Sequence, residues 1–90
     1  MILSEEEVWQ LKLIRLAREV QRNHSDLAIF YSYHPISSFN QHEFAVYKYS
    51  DNSIIVCNED NKNKDTAEKS YKWLLNECKK KGLIDEGYGD

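Results

Sequence analysis

From residue 4 to about 23 the apolar residues recur at helical spacing. At about 100° per residue, Trp9, Leu13, Leu16, Ala17 and Val20 fall on one face that should meet a core. Val8, Leu11 and Ile14 form a second apolar row, and Lys12, Arg15, Arg18 and Arg22 occupy a third sector overlapping Leu11. Ser4 followed three residues later by Glu7 is a capping-box signature, and Glu5-Glu6-Glu7 suit the positive end of the helix dipole. Asn23-His24-Ser25-Asp26 ends the helix.

The period then shortens to two. Leu27 to His34 alternates and is rich in aromatic residues, and Pro35 stops it. Ile36 to Gln41 reads as a polar loop. His42 to Ser50 alternates again, and Ser53 to Asn58 carries Ile54-Ile55-Val56, with Asp51-Asn52 as a hairpin turn because both tolerate positive φ. After a polar connection, a second helix is expected from Asp65 to Lys81, with Asp65 as N-cap and Glu68 three residues on. Ala67, Tyr71, Leu74, Leu75 and Cys78 make its apolar stripe, Lys79-Lys80-Lys81 complement its negative end, and Gly82 fits the left-handed residue beyond. The pattern predicts an α+β domain over residues 1–82, ordered α-β-β-β-α, with two helices packed on one face of a three-stranded antiparallel sheet. Residues 83–90 are expected to form a short acidic tail that frays.

A two-residue turn at Asp51-Asn52 puts Ser50 opposite Ser53. That register groups Leu27, Ile29, Tyr47, Ile54 and Val56 beneath the helices. The open face then carries Phe30, Phe44, Val46, Ile55 and Cys57, with Lys48, His34 and His42 around them. Such a face is too apolar for a solvated sheet surface and marks a contact site, unless the tail or a loop covers it. Trp73 lies off the stripe of the second helix and is expected to point outward as another contact residue, unless Leu83, Ile84 or Tyr88 folds over it. Leu11 and Ile14, beside the arginine row, are a third candidate.

Composition narrows the function. Ninety residues, 41% hydrophobic and 30% charged, suffice for one ordered domain. No apolar run approaches the roughly 20 residues needed to cross a bilayer. The acidic start is unlike a basic signal peptide, so a cytoplasmic setting is expected, with Cys57 and Cys78 as free thiols. His34 and His42 flank one loop with Cys57 on the neighbouring strand, and three such side chains could ligate zinc, but they lack the close spacing of a zinc site. No glycine stands at a strand-to-helix junction to cradle a phosphate, and no nucleophile has a paired base in view. Neither catalysis, nor a metal, nor a cofactor is expected.

The net charge of −3, from 12 basic and 15 acidic side chains with signs interspersed, gives no field to steer an anionic partner. Nevertheless, the α-β-β-β-α order, with Lys62 and Lys64 leading into the last helix and His42 just before Phe44, resembles the double-stranded RNA-binding domain. The resemblance spans residues 4–82 and implies phosphate contacts from Lys62 and Lys64, with Lys12, Arg15, Arg18 and Arg22 as a basic helix face. The chain departs from that family in lacking its third-strand glycines and an alanine-rich last helix. The leading expectation is a small non-catalytic module that binds another protein, or a second copy of itself, as a regulator, inhibitor or adaptor; duplex RNA binding is the alternative.

Overall fold

The computed structural model of the chain describes residues 2–36, 39–62 and 65–89, the side chains of 34–36 and 39–41 excepted. The elements follow in the order α1 (Glu5–Asn23), β1 (Leu27–Ile36), β2 (Phe39–Lys48), β3 (Ile54–Cys57), a single 3-10 turn (Asn58–Asp60) and α2 (Ala67–Lys80). The strands form one antiparallel sheet ordered β1-β2-β3, which is the α+β arrangement expected.

Helix α1 begins as its sequence dictates. The Ser4 hydroxyl accepts from the Glu7 N–H at 3.2 Å and the Glu7 carboxylate accepts from the Ser4 N–H at 3.0 Å, closing the capping box. The Ser4 contacts hold the Glu7 carboxyl below its ordinary value, chiefly through the backbone N–H. Helix α2 starts two residues later than expected. Thr66 is the N-cap, its hydroxyl accepting from the Lys69 N–H at 3.2 Å, while Asp65 pairs with the Lys69 ammonium at 3.1 Å. Gly82 ends α2 with φ +69°, and the Leu83 and Gly82 N–H groups return to the carbonyls of Cys78 and Lys79 in a Schellman motif. The following segment is held in place of the frayed end expected: Leu83 and Ile84 are buried, and His24 Nε2 lies 3.0 Å from the Leu83 carbonyl.

The hairpin registers differ from the two-residue turn and reverse the assignment of one strand. Lys48 and Ser53 close the β2–β3 connection, with Lys48 N–H donating to Ser53 C=O at 2.9 Å and Asn52 N–H donating to Lys48 C=O at 2.8 Å. Four residues, 49–52, therefore make the turn, and Asn52 takes the left-handed conformation at φ +59°. Val46 pairs with Val56, but Tyr47 pairs with Ile54, so Ile55 is the extra residue of a β-bulge. The β1–β2 hairpin runs further than expected, through Pro35↔Asn40 to Ile36↔Phe39.

As a result, Leu27, Ile29, Tyr31, His42, Phe44, Val46 and Val56 face the helices, and Leu13, Leu16 and Val20 of α1 with Ala67, Tyr71, Leu74 and Cys78 of α2 complete the core. Phe44 and Val46, expected on the open face, are 1% and 0% exposed. The cause is parity: moving the closing pair from Ser50/Ser53 to Lys48/Ser53 is a shift of two residues and keeps the faces, but the bulge at Ile55 adds one residue and sets Val46 opposite Val56, which turns β2 over relative to the inward-facing Val56.

Candidate interaction surface

Two constellations emerge, one inside and one outside. Inside, His42 is fully enclosed at the end of the core. Its Nε2 lies 2.7 Å from Glu6 Oε2 and its Nδ1 lies 3.1 Å from the Tyr31 hydroxyl. A neutral ring carrying its proton on Nε2 satisfies both, donating to Glu6 and accepting from Tyr31. Tyr33 stacks on the imidazole with centroids 4.9 Å apart. The same Glu6 carboxylate accepts from the Ala67 N–H at 3.0 Å, so one acid of α1 holds the sheet and caps the first turn of α2. Beside it the Asn58 amide donates to the His42 carbonyl at 2.8 Å and to Ser70 Oγ at 3.1 Å, and accepts from the Asn61 amide at 3.2 Å.

This polar cluster is satisfied and closed, which makes it a structural lock. Burial, with the Glu6 charge and Tyr33 nearby, pushes the Tyr31 phenol up to about 12, away from any nucleophilic role. Burial likewise pushes the Cys78 thiol up to about 12. His42 and Cys57 lie on opposite faces of the sheet, so they cannot share a metal ion. Among the described residues no three His, Cys, Asp or Glu side chains converge as metal ligands. His42 was expected at a solvated strand end; the signal for its burial is Glu6, 36 residues away, which no local pattern reveals.

Outside, the open sheet face is built by the residues that pair across it: Ala28 with Tyr47, Phe30 with Ala45, Tyr47 with Ile54, and Ala45 with Cys57. Phe30 is 49% and Ile54 66% exposed. Tyr47 and Cys57 are half-buried, and Tyr49 stands exposed at the turn. The bulge at Ile55 is what places both Ile54 and Cys57 on this side while Val56 goes inward. The face is therefore apolar as expected, with a different membership. Phe30 is there; Phe44 and Val46 are core; Ile55 is half-buried against the core; Tyr47 and Ile54 replace them.

The other sequence candidates divide. Trp73 is half-buried and packs against the core in place of pointing outward. It is one residue from Leu74, only about 100° around the helix, so it occupies a flank from which a long indole reaches back. Leu11 and Ile14 are exposed together with Val8, a continuous apolar row on the outside of α1. Of the basic residues, Lys12 lies 4.2 Å over the Trp9 ring and, with Arg15, lines a shallow cleft of about 320 Å³ shared with Tyr71, Tyr88 and Gly89. Arg22 is paired with Glu19, Arg18 and Lys62 are exposed, and Lys64 lies outside the described residues. Among the described residues no helix is long and apolar enough to cross a membrane. No protein-family model, curated protein or solved structure matches the chain.

Proposed function

We propose that this chain is a small non-catalytic binding module that engages another protein through the open face of its sheet. The observation that carries the reading is the apolar set on the side opposite both helices, in which Phe30 and Ile54 are exposed and Tyr47 is half-buried. Exposed aromatic and aliphatic side chains on a rigid sheet supply buried area at small cost in conformational entropy, and regulators or inhibitors of this size act by occluding a partner's surface. Support also comes from the interior, where the titratable groups are locked in mutual hydrogen bonds instead of lining an accessible site. The reading places the chain in a reducing cytoplasm, where Cys57 on the face and Cys78 in the core remain thiols.

The test is site-directed photo-cross-linking in the cell of origin. A photoreactive residue at Ile54 or at Tyr47 should give the same discrete adduct, lost when Phe30→Lys is added. A photoreactive residue at Lys79, on the last turn of α2, should not. Equal adducts from all three positions, or none from the face, would overturn the proposal.

A further inference from the structure

We propose that the outer edge of β1 pairs, antiparallel, with the same edge of a second copy of this chain, the two Phe30 side chains meeting on the two-fold axis. This goes beyond the face reading, because the contact is made by the strand's backbone and not by the open face alone.

The direction of the backbone groups comes first. The Asp26 carbonyl accepts from the Tyr49 N–H at 3.0 Å, and Asp26 and Tyr49 continue the register that pairs Leu27 with Lys48. In an antiparallel ladder, hydrogen-bonded and non-hydrogen-bonded pairs alternate. Ala28, Phe30 and Ser32 therefore bond to β2, while Ile29 and Tyr31 turn their N–H and C=O groups to the outside of the sheet. Pro35 agrees with this parity, since its missing N–H falls on the outward side. The Leu27 N–H is already used by the His24 carbonyl at 3.2 Å.

Those four outward groups are complementary to themselves. A two-fold axis normal to the sheet through residue 30 sets Ile29 opposite Tyr31 of the second copy, and Tyr31 opposite Ile29. Each pair exchanges two hydrogen bonds, so all four groups of each copy are satisfied. Phe30 then faces Phe30 across a non-hydrogen-bonded pair, the closer kind, with Cα atoms about 4.5 Å apart and side chains on the open face. Even-numbered sums alone keep core side with core side. The sum of 60 is the one that centres on the uncharged run Leu27–Tyr33.

The two edges of the sheet differ in a way that selects β1. Edge strands are normally protected by shortness, charge, proline or a bulge. Strand β3 has four residues, a bulge at Ile55 and a 3-10 turn directly after it. Strand β1 has ten residues, and from Leu27 to Tyr33 it has no charge, proline or glycine. Helix α1 agrees with this choice. Trp9 contacts Tyr71 of α2 with ring centroids 5.6 Å apart, and Ile14 lies roughly 140° around the helix from Trp9. The exposed Ile14 is thus on the flank of α1 turned away from α2, and the same axis brings the two Ile14 flanks toward each other.

Sedimentation equilibrium of the full chain, from about 1 µM to about 0.5 mM, tests this. The wild type should form a dimer and no larger closed species. Phe30→Lys and Phe30→Glu should each weaken association about a hundredfold or more, because like charges meet on the axis. An equimolar mixture of the two should regain the dimer, a rescue that only the residue-30 axis gives. Tyr47→Lys and Ile54→Lys should leave the dimer intact while abolishing the face adducts, which separates failure of this inference from failure of the function proposed above. Amide exchange offers a second readout, with Ile29 and Tyr31 becoming protected as concentration rises. A wild type monomeric throughout, charge variants that associate like the wild type, or a mixture that fails to recover would each overturn the proposal.

Discussion

Replacing Glu6 by alanine should be among the most damaging single changes on the surface of α1, although the residue is partly exposed and lies in an ordinary acidic triplet. Its carboxylate accepts from His42 Nε2 at 2.7 Å and from the Ala67 N–H at 3.0 Å. Glu6→Ala leaves the enclosed imidazole N–H without an acceptor, at a cost of about 1–3 kcal/mol. It also removes one acceptor from the first turn of α2, worth about 1 kcal/mol on the scale of helix caps. The loss should total about 2–4 kcal/mol, and each kcal/mol lowers the melting temperature of a domain of this size by roughly 4–8 °C. Glu6→Gln keeps an oxygen in place and should cost about half as much, through loss of the charge-assisted bonds. Glu5→Ala, one residue away and fully outward, should stay within about 0.5 kcal/mol of the wild type. Urea unfolding followed by far-UV circular dichroism measures all three. A Glu6→Ala variant within about 0.5 kcal/mol of the wild type, or indistinguishable from Glu5→Ala, would refute the view that this acid joins the three layers of contact.

Three further outcomes check other parts of the structure. Phe44→Ala should cost about 3–5 kcal/mol because the side chain is enclosed in the core, whereas Tyr47→Ala should cost less than about 1.5 kcal/mol; denaturant midpoints in the reverse order would restore the two-residue-turn register. In folded protein at pH 8 a disulfide reagent should modify Cys57 and spare Cys78, whose thiol is pushed up to about 12; equal rates at both would contradict that enclosure. The neutral Tyr31 phenol, raised from 10 to about 12, stabilises the fold fully below pH 10, and that contribution is lost as pH climbs from 10 toward 12. Tyr31→Phe should therefore start less stable at pH 8 yet decline less steeply across that window, as read by unfolding curves at stepped pH.

How far the amino-acid pattern reaches is clearest where success and failure lie side by side. Ser4 and Glu7 mark the start of α1 unambiguously because the capping box is a local, reciprocal contact. Asn52 and Gly82 are found at positive φ, which a short Asn side chain tolerates and the missing Cβ of glycine permits. The start of α2 is displaced because Asp65 and Thr66 are both competent caps, and only the geometry of Lys69 decides between them. Register fails for a deeper reason. Along β2 both parities are apolar, Phe44 and Val46 on one side and Ala45 and Tyr47 on the other, so alternation does not say which side is inward. The Ile54-Ile55-Val56 run hides a bulge, since any of the three fits either face. The apolar character of the open face survives that error, because β3 and Phe30 supply it in either register. The His42 cluster could not be anticipated at all, for its members come from α1, β1, β2, the 3-10 turn and α2.

That clustering has a consequence for the order in which the chain acquires its shape. Glu6 leaves the ribosome well before its backbone partner at Ala67, which follows 61 positions later. The β1–β2 hairpin needs only neighbours in sequence and can form while synthesis continues, but its histidine stays unclasped until the final helix has been made. Maturation should thus be a single late event in which α1 and α2 close on the hairpin together, leaving nascent fragments that stop short of residue 67 susceptible to proteases.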